Sequence, residues 1–385
     1  MKVVHLCLGN FYIDNYSYQE NMLPKFHKIL GCDCEIIASL MTFDKNGKSA
    51  FMENASTYES EYGIKVTRLE FKKPFWIYKK FKKYVGTYDA LDSANPDILF
   101  IHGCQFMDMK IVVKWLQKHQ NVRVYVDNHA DFSNSARNFL SKNILHKMIW
   151  RHMAHLIEPY TKKFYGVLPA RVDFLKNVYT LPAEKCELLV MGVDDEEAKK
   201  ANMPAIRKKI REQYGISEDD FLIVTGGKID EFKKQTLLLM DAVNEINSND
   251  VKLIVFGSVI NQLKEEVKKR CSDKVKYIGW IGVKDSYKIF SACDFAIFPG
   301  RHSVIWEQVV GQGIPMAVKF WDGTTHVDVG GNVRFLYEDS KDEIKKVIEK
   351  ITEDKEFYNK MKNVAETKGL DMFSYKNIAK KSIEM

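Results

Sequence analysis

Short apolar runs rich in β-branched residues alternate with amphipathic stretches of helical length along almost the whole chain. In the first half these runs cover 2–9, 34–40, 65–71, 97–103, 122–129 and 164–169. Their apolar residues follow one another instead of alternating with polar ones, which is typical of strands buried on both faces of a parallel sheet. Helical stretches such as 17–30 and 108–119 lie between them. The first half is therefore predicted to be a doubly wound α/β domain.

The same alternation starts again after the polar stretch DDEEAKKANMP. The predicted strands of the second half cover 221–229, 251–259, 275–282, 294–300 and 316–321. Two domains are also expected because one hydrophobic core seldom covers 385 residues. We therefore predict Rossmann-like domains at 1–193 and 194–370, with a cleft between them in which ligands bind at the carboxyl ends of the strands.

Composition and cysteine spacing exclude several classes of protein. Hydrophobic residues form 45% of the chain and charged residues 28%, as in soluble globular proteins, and no apolar run has the length of a membrane span. The N-terminus MKVVHLCLGN favours a buried first strand over a cleavable signal, so a cytoplasmic protein is expected. The seven cysteines form no CxxC pairs, so neither a disulfide framework nor a zinc site is indicated.

A glycine pair followed by lysines stands at the end of a predicted strand in the second half. The pair ends at Gly227, Lys228 follows at once, and Lys233 and Lys234 stand where the next helix begins. Glycines let a ligand approach the backbone, a helix N-terminus offers free N–H groups, and two ammonium groups can clamp a diphosphate. The stretch is either an anion site or a glycine turn with solvated lysines.

One carboxylate, Glu307, lies in an otherwise apolar helical run at 303–313. A carboxylate accepts two hydroxyl hydrogen bonds at once, which suits the vicinal diol of a ribose. Because its helix is apolar, this side chain needs a partner. A structural salt bridge is the alternative to a ribose.

Five fragments together resemble the ordered motif series of glycosyltransferase family 4. They are GVD (192–194), GGKI (226–229) with Lys234, YIGWI (277–281), CDFAIFPG (293–300) and EQVVGQGIP (307–315). The resemblance implies a retaining enzyme of the two-domain GT-B fold. It implies that Lys228 and Lys234 neutralise the donor diphosphate and that Glu307 holds the ribose of a sugar nucleotide. It also implies a C-terminal helix, 371–385, that crosses back to the N-terminal domain.

The sequence departs from the family in one loop. Family members carry a further glutamate eight positions before the ribose-binding one, in a loop that touches the transferred sugar. The residue at that position here is Pro299. We expect Arg301, His302 and Ser303 to take over the sugar contacts. The alternatives are an altered activity and an ordinary surface turn.

The resemblance also implies where the base and the donor phosphates bind. It puts the base near Trp280 and Ile281, which the family reads largely through backbone groups, although Trp280 would equally suit a core. The loop after the first strand lacks the family's usual double glycine, and Gly9 and Asn10 occupy its place. We expect Gly9 to face the donor phosphates and Asn10 to lie on the sugar side.

Two polar side chains near the end of the fifth predicted strand, His129 and Asp131, resemble the family's His-Asp pair, whose histidine approaches the transferred sugar. A structural histidine is the alternative, as it is for His102. Because no Asp-x-Asp loop or metal-ligand cluster occurs, neither a metal nor a cofactor is expected. Lys228, Lys234 and a helix N-terminus would then carry the charge of the leaving group.

The segment Lys72–Tyr84, KKPFWIYKKFKKY, interleaves lysines with aromatic residues. Such a surface can place rings among lipid headgroups while its lysines meet anionic lipid. An amphipathic helix with one buried face is the alternative, and nucleic acid is not expected because no binding motif accompanies the segment. We expect a peripheral position at the inner face of a bacterial membrane. A second amphipathic stretch, 144–157, is predicted to be core.

We therefore predict a retaining hexosyltransferase that moves a sugar from a UDP- or GDP-sugar to a glycan or lipid-linked acceptor in bacterial surface polysaccharide synthesis. The departing phosphate would take the proton of the acceptor. A nucleotide-sugar epimerase of the same fold and a catalytically silent glycan-binding protein are the alternatives. The epimerase would need catalytic carboxylates, for which Asp131 and Glu20 are candidates.

Overall fold

The structure is a computed structural model that describes residues 1–44 and 48–385. The chain divides into two compact units. The first consists of Met1–Val190 and Ile378–Met385, and the second of Met191–Asn377. Among the described residues, no helix combines the length and the apolar character needed to cross a membrane.

The first unit is built on a sheet that has eight strands in the described part of the chain. The strands of this unit are β1 (Lys2–Cys7), β2 (Asp33–Ser39), β3 (Met41–Phe43), β4 (Ser49–Phe51), β5 (Thr57–Glu59), β6 (Lys65–Leu69), β7 (Ile98–His102), β8 (Arg123–Asn128), β9 (Thr161–Gly166) and β10 (Cys186–Leu188). The order in the sheet is β10-β9-β8-β7-β1-β2-β6-β5. All neighbours are parallel except β5 and β6, while β3 and β4 form a separate antiparallel pair.

Helices cover this sheet, which explains why its central strands are almost entirely buried. They are α1 (Gln19–Ile29), α2 (Phe75–Phe81), α3 (Thr87–Ala94), α4 (Met109–Leu116), α5 (Arg151–Ile157) and α6 (Pro169–Asn177), with a π-helical segment, Ser141–Trp150, before α5. Every residue of β7 is buried, as expected for a strand covered on both faces. The strand order reverses between β1 and β7, so the loops after these two strands lie at the switch point where ligands of such sheets bind.

The second unit repeats this plan with a fully parallel sheet. Its strands are β11 (Phe221–Gly226), β12 (Val251–Phe256), β13 (Val275–Tyr277), β14 (Phe295–Phe298), β15 (Met316–Lys319) and β16 (Val333–Leu336), in the order β13-β12-β11-β14-β15-β16. Its helices are α7 (Asp195–Ala201), α8 (Pro204–Gln213), α9 (Thr236–Glu245), α10 (Lys264–Lys269), α11 (Val283–Ala292), α12 (Ile305–Gly311), α13 (Lys341–Glu353), α14 (Lys355–Val364) and α15 (Leu370–Met372). The switch point lies between β11 and β14.

The last helix, α16 (Tyr375–Ser382), lies within the segment where a helix was predicted. From Ile378 onward its residues belong to the first unit. There the Lys381 ammonium donates to the Leu188 carbonyl at 2.9 Å, and the Tyr125 hydroxyl donates to the Glu384 carboxylate at 2.8 Å. The end of the chain is therefore part of the first unit's packing.

Candidate functional site

The switch point of the second unit gathers most of the predicted donor residues. Gly227 follows β11 with φ +118°, a conformation that favours glycine, and Gly300 to Ser303 follow β14. A side chain at Gly300 would begin 3.0 Å from the Cα of Lys233. Glycine there lets the loops after the two strands touch.

Lys233 is the lysine that lies against this glycine corner. Its ammonium nitrogen is 3.5 Å from the point where a side chain at Gly227 would begin. Burial lowers the pKa of Lys233, and the Arg301 guanidinium acts in the same direction while Asp230 opposes it. A partly buried ammonium beside a bare backbone suits an anionic ligand.

The two lysines predicted to bind the diphosphate are more exposed. Lys228 is 62% exposed and pairs with Asp230 at 3.5 Å, and Lys234 is 60% exposed and pairs with Glu231 at 3.9 Å. Such exposed pairs contribute little to stability, so both ammonium groups can change partners at small cost. The Lys234 side chain does not come as close to the Cβ position of Gly227 as that of Lys233 does.

Glu307 is fully buried on α12 and shares one oxygen with two imidazoles. His302 Nε2 and His326 Nε2 each lie 2.9 Å from Oε1, while Oε2 has no hydrogen-bond partner among the described residues. Burial alone would raise the pKa of Glu307, but the two histidines outweigh it and hold the pKa well below its ordinary value. The carboxylate is therefore a fixed anion with one uncommitted oxygen.

These three side chains could also hold a divalent metal ion. Each offers one ligand atom, and the three atoms lie within 4.8 Å of one another. The 2.9 Å separations are those of ordinary hydrogen bonds, which account for the arrangement by themselves. The sequence indicated no such cluster because His326 stands 19 positions after Glu307.

The remaining predicted donor residues lie at or near the surface. Trp280 is 74% exposed, so the interpretation of this residue as core is wrong, and Ile281 is half-buried. The Arg301 guanidinium lies over the Phe232 ring, 5.7 Å from its centre. The Ser303 carbonyl accepts the Trp306 N–H at 3.0 Å just before α12 begins.

At the switch point of the first unit, Gly9 and Asn10 pack onto the loop after β7. A side chain at Gly9 would begin 2.2 Å from the Gly103 carbonyl oxygen, so only glycine fits this close approach. The Asn10 N–H donates to the His102 carbonyl at 2.7 Å, and its side-chain nitrogen is buried without a partner among the described residues. This close packing is enough to explain why residue 9 is a glycine, and no ligand contact is needed for that explanation.

His129 stands just beyond β8, between two carboxylates. Its Nε2 lies 3.5 Å from Asp127 Oδ2 and 3.9 Å from Glu20 Oε1, and the side chain is 22% exposed. Burial would lower the pKa of His129, but these two carboxylates outweigh it and raise the pKa. The imidazole is therefore biased towards its cationic form.

Asp131, which resembles the aspartate of the family's His-Asp pair and was expected on the acceptor or sugar side, has local partners. Its carboxylate pairs with Arg171 Nε at 3.1 Å and accepts the N–H groups of Ser133 at 2.6 Å and Asn134 at 3.2 Å. It thus closes the loop that follows β8, and Asp127 is the acid beside His129. Sequence reasoning missed Asp127 because it lies inside a strand that reads as continuous core.

The predicted membrane segment is exposed in its middle and buried at its end. Trp76 on α2 is 67% exposed and Phe75 is 41% exposed. In contrast, Tyr84 is fully buried and its hydroxyl donates to the Leu8 carbonyl at 2.9 Å. The Lys82 ammonium donates to the backbone, and burial lowers the pKa of Lys82 to about 8.

The stretch 144–157, predicted to be core, is only partly buried in its first half, where His146 and Trp150 are the buried residues. Met153 and Ile157 are buried, but Ile144 is 42% exposed and Met148 is 64% exposed. The core prediction is therefore wrong for the exposed residues of the first half. The change in burial coincides with the end of the π-helical segment at Trp150 and the start of α5.

No protein-family model and no curated protein sequence matches the chain. Solved structures do match it. A glycosyltransferase from Rickettsia africae is 15% identical with a TM-score of 0.69, over 100% of this chain and 97% of that chain. HepE of Anabaena in complex with UDP is 15% identical with a TM-score of 0.65, over 100% and 99% of the two chains.

A UDP-GlcNAc 2-epimerase from Neisseria meningitidis bound to UDP-GlcNAc is 14% identical with a TM-score of 0.63, over 100% of this chain and 99% of that chain. At such identities the likeness concerns the fold alone. It agrees with the two parallel sheets and their covering helices. The chain is thus an α/β protein with the GT-B architecture of two Rossmann-like domains, as predicted.

Proposed function

We propose that this protein is a retaining glycosyltransferase that moves a sugar from a nucleoside-diphosphate sugar to a glycan or lipid-linked acceptor in bacterial surface polysaccharide synthesis. The observation that carries the proposal is the uncommitted Oε2 of Glu307 at the switch point of the second unit. Its partner oxygen is already held by two imidazoles. A ribose hydroxyl that donates to Oε2 would complete the buried carboxylate.

The donor diphosphate is proposed to bind at the glycine corner. Lys233 already lies against Gly227, and the exposed Lys228 and Lys234 are within the same loop. Three ammonium groups can neutralise the leaving group without a divalent ion, and the departing phosphate would take the acceptor's proton. The exposed Trp280, with Ile281, is proposed to face the base.

The transferred sugar is proposed to meet Arg301 and Ser303. Nε2 of His302 already donates to Glu307, so this imidazole positions the carboxylate. In the first unit, His129 is the proposed sugar contact, and in the loop after β1 Gly9 is proposed to face the donor phosphates and Asn10 the sugar.

The acceptor is proposed to be presented at an anionic membrane surface. Around Trp76, the segment Lys72–Tyr84 carries exposed lysines that complement anionic headgroups. A second exposed apolar set in the same unit consists of Phe139, Leu140, Ile144 and Met148. These features support a peripheral position at the inner face of the membrane.

Donor hydrolysis in the absence of an acceptor tests the function. Purified protein would be incubated with a panel of UDP- and GDP-sugars, and free nucleotide and sugar would be followed by NMR. Slow release of the sugar with its original anomeric configuration is expected. A thermal-shift screen with UDP and GDP identifies the base, since ligand at 100 times its Kd adds about 2.7 kcal/mol of stability.

Two outcomes would contradict the proposal. The epimerase neighbour bound to UDP-GlcNAc makes epimerisation the second candidate. Inversion of the configuration at one sugar carbon, with the nucleotide still attached, would establish it. Tight binding of a sugar nucleotide without turnover of either kind, even with membrane extracts as acceptor, would indicate a silent binding protein.

A further inference from the structure

Glu307 and its two histidines, His302 and His326, form a set that we call the carboxylate-imidazole cluster. They come from three places in the second unit: His302 lies in the loop after β14, Glu307 on α12, and His326 in the short turn Thr325–Val327. The side chains of Glu307 and His326 are 0% and 1% exposed. A buried set of one acid and two imidazoles forms either an internal hydrogen-bond network or a metal site.

Hydrogen bonding within the cluster leaves several buried polar atoms without partners. Both imidazoles share Oε1 of Glu307, whereas Oε2 of the same carboxylate is unpaired among the described residues. Nδ1 of His326 and the indole nitrogen of Trp306 are also buried without a partner in the described part of the chain. Trp306 packs edge-on against His302, with 4.9 Å between the ring centres. Orphaned atoms gathered in one place indicate that the network is completed by an ion or by water.

The spacing of the cluster suits one small ion. One ligand atom of each side chain lies within 4.8 Å of the other two. Ligand atoms at 2.0–2.1 Å from a tetrahedral zinc ion are about 3.3 Å apart. Each imidazole nitrogen is 2.9 Å from Glu307 Oε1, so each pair would have to widen by about 0.4 Å to admit the ion. Small rotations of the side chains are enough for such a movement.

The types of ligand atom select the class of ion. Imidazole nitrogen suits zinc, copper, iron and nickel, whereas Mg²⁺ and Ca²⁺ prefer oxygen ligands. Two histidines and one glutamate, with a fourth position left for water, are a known ligand set of zinc. The cluster therefore favours a transition-metal ion over an alkaline-earth ion.

We propose that the carboxylate-imidazole cluster binds one divalent transition-metal ion of the Zn²⁺ class. The ligands would be Nε2 of His302, Nε2 of His326 and Oε1 of Glu307, with water completing the coordination. Each Nε2 binds through its lone pair, so each ring then carries its hydrogen on Nδ1 instead. For His326, Nδ1 has no partner among the described residues before this change of tautomer, so the change does not add an unpaired atom.

The ion would enter the cluster from the side of His302. This side chain is 13% exposed, whereas those of Glu307 and His326 are at most 1% exposed. The ion needs only Oε1 of Glu307, so Oε2 stays available to the ribose of the proposed function. Metal binding can therefore be measured without a nucleotide, and its result is independent of the transferase proposal.

Isothermal titration of Zn²⁺ into the metal-free full chain tests the proposal. We expect one ion per chain and much weaker binding of Mg²⁺. His302→Phe keeps an aromatic ring beside Trp306 and removes one ligand nitrogen. Because loss of an outer-shell partner already costs 10- to 100-fold in affinity, loss of this ligand should cost about 100-fold or more. His152→Phe, at an exposed histidine on α5, is the matched control and should bind Zn²⁺ as wild type does.

X-ray absorption at the zinc edge identifies the ligands. We expect two imidazole nitrogens, with oxygen in the remaining positions. Cys271 is an exposed thiol that could bind zinc by itself, and sulfur in the first shell would point to it instead.

Three results would overturn the proposal: no binding of Zn²⁺ to the wild-type chain, sulfur ligation, or an unchanged affinity in His302→Phe. If His302→Phe does not fold, the absorption spectrum of the wild-type protein still decides.

Discussion

His326 Nε2 donates a hydrogen bond to Glu307 Oε1 at 2.9 Å, across 19 positions of sequence. His326 lies in the short turn Thr325–Val327, and Glu307 lies in the first turn of α12. A buried carboxylate without such partners would cost several kcal/mol. The two imidazoles therefore hold the side chain in one orientation and keep its second oxygen available.

Glu307→Gln should weaken binding of the nucleoside diphosphate and leave the fold intact. The amide nitrogen replaces an acceptor that the ribose is proposed to use, so the affinity for UDP or GDP should fall about 10- to 100-fold, or about 1.5–3 kcal/mol. Isothermal titration calorimetry measures the change. Glu356→Gln, at an 80% exposed carboxylate, serves as the control. Unchanged affinity in Glu307→Gln would rule out the ribose contact.

Lys233→Met should reduce affinity for the nucleoside diphosphate more than Lys234→Met does. Lys233 lies against Gly227, whereas Lys234 is largely exposed. Methionine retains the apolar stem that packs near Gly300 and removes the charge. We expect about a tenfold or greater loss for Lys233 and a smaller loss for Lys234, measured by the same calorimetry. A larger effect at Lys234 would instead favour the pair predicted from the sequence.

The buried His27 should make the first unit less stable in mild acid. Its pKa is lowered to about 4, mainly by burial, while an unfolded histidine titrates near 6.5. Below pH 6.5 the unfolded state therefore binds a proton that the folded state does not. Stability should fall by up to about 1.4 kcal/mol per pH unit until pH 4.

Urea midpoints followed between pH 7 and pH 4 measure this effect. His27→Gln should flatten the pH dependence in that window, and His152→Gln should leave it as in wild type. If stability depends on pH equally in all three proteins, the pKa of His27 does not differ between the folded and unfolded states.

Trp76→Ser should weaken binding to vesicles that contain anionic phospholipid. The indole is 67% exposed among lysines, and removing it loses apolar area that the proposed contact would bury. Co-sedimentation should show weaker binding for Trp76→Ser and for raised salt. Trp321→Ser, at an exposed tryptophan of the second unit, should bind as wild type does. No binding of the wild-type chain to such vesicles would refute the membrane contact.

The sequence predicted those parts of the fold that depend on local pattern. The long buried strands, such as β1, β7 and β11, appear where continuous apolar runs stand. The three-residue strands β5 and β10 were missed because a segment that short shows no periodicity.

The residues of the candidate site likewise fall into those that the local sequence indicates and those that only the fold brings together. Gly227 and Glu307 stand out locally because a glycine pair ends a strand and a lone acid interrupts an apolar helix. The partners His326 and Asp127 do not stand out, since only the folded chain brings them to their contacts. The choice between Lys233 and Lys234 likewise depends on which side chain turns towards Gly227, which a pair of adjacent lysines does not reveal.

The first unit is assembled from two separate pieces of chain, with the whole of the second unit encoded between them. During synthesis on the ribosome, residues 378–385 emerge only after the second unit has been made. Until then His27 has neither the Ala379 carbonyl nor the Ser382 hydroxyl as a hydrogen-bond partner. The first unit therefore cannot complete its packing until residues 378–385 have been synthesised. The second unit is continuous in sequence, so all its residues are available before that point.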